Sequence, residues 1–367
     1  MPSLSQQRPR FDSFASAFSS RLSYVRPSPL ANAVIEGEHR LPLFLVIGAQ
    51  KSGTTFYRYL LHVHPKLDSA TGLRFKPLGE SHFLQFADLS EPKLREPAVL
   101  EAYAAHMKPS IGSVNDSYSF DTTPAYFDGA LRGVDIATRS HGVMRGGMRL
   151  VLVLRDPVER FHSNVNMDKS YEEYFGEKGS ELGVGDLDKF QEVMTACEDK
   201  IISEHEMNRT RKNPHKRPTV CASSLAIPIE RSMYSRWLRR WALLHEAAGP
   251  IHLVLNSDLK EPGKVLNRTA RWLGVPEYAE KEGEFDKLFK RKGSKVKLKE
   301  HEALAKVRSD TFFSDGGGNS VLRKLYSNVD RRLGELTGNY DLVTMLRMYS
   351  DATEEQLEEV RGWYSTV

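Results

Sequence analysis

Between positions 48 and 55 the chain reads Gly48-Ala49-Gln50-Lys51-Ser52-Gly53-Thr54-Thr55, a stretch whose side chains are suited to gripping an anion. Lys51 brings a full positive charge, and Ser52, Thr54 and Thr55 bring hydroxyl donors. Gly48 and Gly53 permit a tight turn and a close approach of bare backbone to a ligand. The flanks supply the elements that must hold this turn. Leu43 to Ile47 is an unbroken apolar run, as expected of a strand buried on both faces of a parallel sheet. Phe56, Tyr59, Leu60 and Val63 recur at helical spacing, so the chain is expected to leave the turn as an amphipathic helix. The first N–H groups of such a helix lack internal partners and sit at the positive end of its dipole, so strand, turn and helix start together make an anion site. A glycine-rich turn with no ligand is the plainer alternative.

Two further clusters carry chemistry. Glu80 and His82 would project to the same side of an extended segment; a carboxylate paired with an imidazole is either a general base with its orienting partner or a structural ion pair. Arg149 to Leu154 is a second buried-strand run, followed at once by Arg155-Asp156-Pro157-Val158-Glu159-Arg160. Asp156 is a good N-cap, Pro157 suits the first helical position and Glu159 would complete a capping box. A helix therefore starts at the C-terminal edge of a strand, where open α/β sheets bind ligands. Arg155 sits at that edge and Ser163 about two turns further on; guanidinium and hydroxyl converging on a phosphate would account for both. Arg155 pairing with a carboxylate is the competing reading. The glycine spacing of the first stretch also matches the triphosphate-binding loop G-x-x-x-x-G-K-[ST], but Thr54 stands in place of its lysine, which argues against a γ-phosphate held with Mg²⁺.

In these places the chain resembles the sulfotransferases that use 3′-phosphoadenosine 5′-phosphosulfate (PAPS). Gly48 to Thr55 is similar to their 5′-phosphosulfate loop, and Arg155 with Ser163 to the R-D-P-x-E-R…S element that holds the 3′-phosphate. Glu80, His82 and Phe83 match the E-x-H-F-F element of glycosaminoglycan sulfotransferases, whose glutamate acts as base toward the acceptor hydroxyl. The stretch from Phe120 to Phe127, with Thr122, Thr123, Pro124 and Tyr126, is similar to an E-K-T-P-A-Y-F element that contributes to acceptor binding. Here Asp121 replaces the glutamate, and Thr122 replaces a lysine near the reacting sulfate. Lys292-Gly293-Ser294 corresponds to a late K-G-R-type loop at the 3′-phosphate, without its arginine.

The resemblance spans roughly residues 43 to 340 and implies transfer of a sulfuryl group from PAPS, without a metal, to a hydroxyl or amine. Glu80 would take the acceptor proton, His82 would orient it, and Lys51 would stabilise charge on the bridging oxygen as the 5′-phosphate leaves. The best textual match, to heparan-type glycan enzymes, implies a carbohydrate acceptor. Those enzymes are typically anchored in Golgi membranes and no anchor is seen here, which leaves a small hydroxylated metabolite as the alternative acceptor. A P-loop kinase and a non-catalytic nucleotide- or polyanion-binding protein are the rival classes, the second kept open by Thr122.

The rest of the chain sets the frame. Its 367 residues can bury a substantial core, and a net charge of +4 is too small to argue for polyanion or nucleic-acid binding from the total. No run approaches the roughly 20 apolar residues that span a bilayer. Two cysteines, Cys197 and Cys221, allow one disulfide at most and form no metal cluster; Asn115, Asn208 and Asn267 open N-x-[ST] sequons. Residues 1–38, rich in serine and arginine and poor in acid, read equally as an organellar transit peptide or a disordered tail, so location stays open among cytoplasm, organelle and, by resemblance, Golgi. A surface helix is expected within 88–112, a polar insertion or lid with a basic run at 209–217 over 168–227, and a C-terminal tail over 346–367. Between these lie a helical stripe from Tyr234 to Leu244, a strand from Ile251 to Leu255, and helices ending near Leu273 and Leu336. Three strand-to-helix units with the anion loop first imply an α/β, P-loop-like three-layer fold over 39–345, its parallel sheet flanked by helices on both faces.

Overall fold

The structure, a computed structural model, describes residues 41–69, 80–86, 97–106, 118–129, 135–144, 149–167, 187–210, 226–242, 248–279, 317–338 and 340–365. Strands β1 (Phe44–Gly48), β2 (Leu67–Ser69), β3 (Tyr118–Thr122), β4 (Arg149–Leu154) and β5 (His252–Leu255) form one sheet in the order β2-β3-β1-β4-β5, every neighbouring pair parallel. The helices are α1 (Thr54–Leu61), α2 (Phe83–Phe86), α3 (Pro97–His106), α4 (Ile136–Met144), α5 (Pro157–Met167), α6 (Leu187–Thr210), α7 (Ala226–Arg231), α8 (Tyr234–Ala242), α9 (Pro262–Leu273), α10 (Gly317–Leu336), α11 (Leu342–Tyr349) and α12 (Glu354–Tyr364).

The unbroken apolar runs explain the layers. Successive side chains of a strand point to opposite faces, so an all-apolar strand is stable only if both faces are covered. Leu45 and Ile47 of β1, Leu150, Leu152 and Leu154 of β4, and Leu253 and Leu255 of β5 pack on one side with Trp237 and Trp241 of α8 and Leu346 of α11. Phe44 and Val46, Val151 and Val153, and Val254 face the other side, against Tyr57 and Leu60 of α1 and Val265, Leu266 and Leu273 of α9. The result is the expected α/β, P-loop-like arrangement. With β1 central, β2 and β3 lie on one side of it and β4 and β5 on the other, and such a switch point opens a crevice at the strands' C-terminal ends.

Several local expectations are corrected. The buried face of α1 is Thr54, Tyr57, Arg58, Leu60 and Leu61, with Phe56 and Tyr59 only half-buried, because the Tyr57 hydroxyl meets Thr269 Oγ1 of α9 at 2.8 Å. Within the supposed polar insertion lies the 24-residue helix α6, whose Phe190, Met194, Cys197 and Ile201 pack on Leu322, Leu325, Tyr326 and Val329 of α10. That narrow stripe was diluted by charged residues on the remaining faces. The supposed C-terminal tail carries α12, opened by a complete capping box at Thr353 and Gln356, and its Leu357, Val360 and Trp363 belong to the core against β4 and β5. In the expected surface helix region, α3 buries Tyr103 and Ala104. Asn267 is bound up within the fold: its amide donates to Tyr278 O (3.2 Å) and accepts from Tyr278 N (2.7 Å). Cys197 is disulfide-bonded. Cys221, Asn115, residues 1–38, most of the basic run at 209–217 and the whole of 290–299 lie outside the described residues. No described helix is long and apolar enough to cross a membrane.

Candidate active site

Parallel strands end on one edge, so the segments after β3, β1 and β4 are brought together by topology alone. At the end of β1, Gly48 has φ 151°, and a Cβ there would lie 2.6 Å from both Phe127 Cβ and Pro124 O. Gly53, at φ 99°, is equally confined: a Cβ would meet Asn256 Nδ2 at 2.6 Å and Leu259 Cδ1 at 2.7 Å. Both glycines are therefore required by the turn and by protein packing. Ala49 N–H donates to Val153 O (2.7 Å), and Asn256, the first residue after β5, donates through Nδ2 to Ser52 O (3.0 Å), so β4 and β5 clamp the loop. Between these anchors Lys51 is held at φ 70°. Ser52 is fully buried beside the Tyr234 hydroxyl, Thr54 is buried and Thr55 is exposed. Helix α1 then begins at Thr54 without a side-chain cap.

The second element follows β4. Asp156 caps α5 as expected, accepting from Val158 N (2.9 Å) and Glu159 N (3.1 Å) through Oδ1, while Arg323 of α10 holds its Oδ2 at 3.0 Å. The reciprocal half of the expected capping box is replaced: the Glu159 carboxylate takes Arg155 Nη2 at 2.5 Å. Arg155 is itself anchored at its main chain, where its carbonyl accepts the Tyr234 hydroxyl at 2.8 Å; burial pushes that phenol up to about 12. Ser163 lies half-buried on α5. Arg160, quoted in the sequence run but given no role there, is fully buried and links the two elements: its Nη1 donates to Gln50 O (3.2 Å) in the loop and its Nε to Ser232 Oγ (2.8 Å). Burial lowers the Arg160 pKa. Asn164 Oδ1 accepts from both Arg160 and Arg231, and Arg231 pairs with Asp128 at 2.7 Å.

The third element is the Glu80–His82 pair. Glu80 Oε2 lies 3.0 Å from His82 Nε2, and His82 Nδ1 lies 2.9 Å from Gln85 Oε1. Carboxylate and amide oxygens only accept, so both imidazole nitrogens donate; the bond to Glu80 is the main cause of a raised His82 pKa. The pair forms as expected, but through a kinked backbone with His82 at φ 51° in place of an extended segment. What holds it is Asp121, fully buried at the end of β3, which accepts from Ser81 Oγ (2.5 Å), Tyr103 Oη (2.8 Å), Tyr126 Oη (3.0 Å) and Thr123 Oγ1 (2.9 Å). Thr123 and Tyr126 also receive His82 N–H (3.3 Å) and Leu84 N–H (3.2 Å). Burial drives the Tyr103 and Tyr126 pKa values well above the ordinary phenol value. The hydroxyls of Thr123 and Tyr126, expected to meet an acceptor, are thus committed to positioning the Glu80–His82 segment, and Pro124 is buried beneath it.

The segment after β3 abuts the loop after β1: Phe127 N–H donates to Ile47 O at 2.7 Å, and Pro124 O sits against Gly48. Among the described residues, Lys51 and His82 are the two non-glycine residues with positive φ. Such backbone costs roughly 1–2 kcal/mol per residue and tends to gather at functional sites. Gln50 Oε1, Thr122 Oγ1 and Arg155 Nε are buried with no protein hydrogen-bond partner, a set of donors and acceptors suited to a polar, anionic ligand. Among the described residues no three His, Cys, Asp or Glu side chains group as metal ligands would. Lys292, Gly293 and Ser294 lie outside the described residues. Sequence reading missed Asn256 and Arg160, although Asn256 sits directly behind an apolar strand run, the same signal that singled out Arg155.

No family model matches the chain, and none of the curated proteins does. Among solved structures it is similar to a sulfotransferase from Alicyclobacillus acidocaldarius, with 15% identity, 83% of this chain and 98% of that chain covered, and a TM-score of 0.42. A likeness that distant assigns no role to any residue.

Proposed function

We propose that the chain is a sulfotransferase that moves a sulfuryl group from PAPS to a hydroxyl or amine of an acceptor, with a carbohydrate as the leading acceptor and a small hydroxylated metabolite as the alternative. One arrangement carries this reading. The neighbouring parallel strands β3, β1 and β4 end beside a carboxylate–imidazole pair, a lysine-bearing loop and a partly buried arginine, in that order. A base, a charge-neutralising loop and a second cation are what group transfer from a doubly phosphorylated donor needs.

The residues present fit such a donor. Lys51 with the exposed hydroxyl of Thr55 would hold its phosphosulfate end, and Arg155, whose buried Nε has no protein partner, would hold a second phosphate with Ser163. The donor, when bound, supplies an activated sulfuryl group on a phosphate leaving group. Glu80 accepts the acceptor's proton at Oε1, since Oε2 is engaged by His82. His82, donating from both nitrogens, fixes the carboxylate and limits its basicity. Lys51 neutralises charge developing on the bridging oxygen.

The test is transfer from sulfur-labelled PAPS to a panel of glycans and small hydroxylated compounds, with Glu80→Gln alongside the parent. Label should pass to at least one acceptor, and the variant should be slower by about a hundredfold or more while still binding donor. A variant as fast as the parent removes Glu80 as the base. Donor binding with no transfer to any acceptor would point instead to a non-catalytic binding protein.

A further inference from the structure

Behind the loop after β1 the protein buries more positive charge than negative. Arg160 of α5 is fully buried, and its guanidinium donates to Gln50 O (3.2 Å), Asn164 Oδ1 (3.4 Å), Ser232 Oγ (2.8 Å) and Pro228 O. None of these partners is charged. Arg231, which also donates to Asn164 Oδ1, pairs with Asp128 at 2.7 Å, and Asp156 at the start of α5 is held by Arg323. Among the described residues the cluster of Arg160, Arg231 and Asp128 thus sets two guanidiniums against one carboxylate, a net charge of +1, and all three side chains are buried. Burying a charge without a counterion is costly, and this one lies a single hydrogen bond from the loop. The contact with Gln50 also shapes the loop. In a planar trans peptide the C=O and N–H point opposite ways, so holding the Gln50 carbonyl on Arg160 turns the Lys51 N–H away from the cluster. Lys51 then stands at φ 70°, a conformation that residues with a side chain avoid, and a hydrogen bond from a charged donor is strong enough to hold it there.

We propose that Arg160 is a fixed countercharge for an anion bound at the loop after β1: its buried positive charge is balanced by the ligand's 5′-phosphate group, and its bond to Gln50 O sets the backbone that presents Lys51. The inference rests on the reading of this loop as the seat of the donor's phosphosulfate end. Arg160 is a positioning residue, acting through the loop and through its field, while Lys51 meets the ligand. Affinity for a phosphate-bearing ligand should then follow the charge of the cluster, falling when a guanidinium is removed and rising when the carboxylate is neutralised.

The experiment is calorimetric titration of adenosine 3′,5′-bisphosphate into the parent chain, Arg160→Gln and Asp128→Asn, with urea unfolding of each ligand-free protein alongside. Asp128→Asn keeps the size of the side chain and an oxygen that can accept from Arg231, so it carries the test where Arg160→Gln does not fold. The expected result is binding about tenfold or more weaker in Arg160→Gln and about three- to tenfold tighter in Asp128→Asn, although the latter is less stable than the parent without ligand. A merely structural role would give the other sign, because a loosened cluster weakens stability and binding together. An Asp128→Asn affinity at or below that of the parent, or an Arg160→Gln affinity equal to it, would overturn the proposal; the parent's own binding would leave the reading of the loop intact. A parent that does not bind the bisphosphate would overturn the proposal and that reading together.

Discussion

Glu80 and His82 stabilise each other, and the direction of that coupling can be tested by pH. The folded His82 pKa is raised, mainly by its bond to Glu80, so the pair's contribution to stability is fully present below the ordinary histidine value of about 6.5 and is lost as pH rises through the raised one. Thermal melts of the parent and His82→Gln should therefore differ most below about pH 6.5 and converge as pH rises through the raised value; a gap that widened with pH would contradict the pairing. The partners of Asp121 predict a second result. Asp121→Ala leaves hydroxyls from residues 81, 103, 123 and 126 without their shared acceptor, so it should cost about 3 kcal/mol or more in denaturant unfolding. Asp121→Asn, which keeps one acceptor, should retain more of the stability yet still lower kcat by releasing the Glu80–His82 segment. At this scale the sequence was informative where chemistry is local. Glu80 and His82 are two apart, and Arg155 directly follows its strand. The Asp121 cluster was illegible because its hydroxyls come from a loop, α3 and the turn after β3, and only the fold brings them together.

The elements divide in the same way. Helix α5 could be read at once because Asp156, Pro157 and Glu159 state its start in adjacent letters, and β1, β4 and β5 because runs of Val, Leu and Ile buried on both faces leave little else to be. Helix α6 was hidden by an apolar stripe of few residues among many charges, and α12 by a short amphipathic stretch near the end of the sequence whose burial depends on docking against the sheet. The loop after β1 shows how an element is held by its neighbours: β4 binds Ala49, the residue after β5 supplies Asn256, and α5 supplies Arg160. Asn256→Ala removes the bond to Ser52 O and opens space beside Gly53, so global stability should fall by only about 1 kcal/mol, whereas affinity for adenosine 3′,5′-bisphosphate should fall about tenfold. Parallel denaturation and titration of the variant would separate the two, and an unchanged affinity would mean that Asn256 only packs.

Across the whole molecule, one sheet is closed on both faces by helices drawn from the full described length, and the joints between distant helices carry buried charge. Asp330 on α10 is the clearest case: it accepts Leu342 N–H of α11 at 3.0 Å, and burial raises its pKa to about 6. Because the folded value lies above the unfolded one, its contribution is fully present below about pH 4 and is lost as pH rises through about 6. Relative to Asp330→Asn, the parent should lose up to roughly 3 kcal/mol of unfolding free energy between pH 4 and pH 7, measured by urea denaturation at each pH. The same architecture brings the Lys51 loop, Arg155 and the Glu80–His82 pair to one edge of the sheet, and the central proposal is that this edge binds a nucleotide with phosphates at both its 3′ and 5′ positions. The most direct measurement is calorimetric titration of the purified chain, without Mg²⁺, with adenosine 3′,5′-bisphosphate and then with ADP. Tight binding of the first and weak binding of the second is the expected result; equal binding of the two, or binding of neither, would contradict the account.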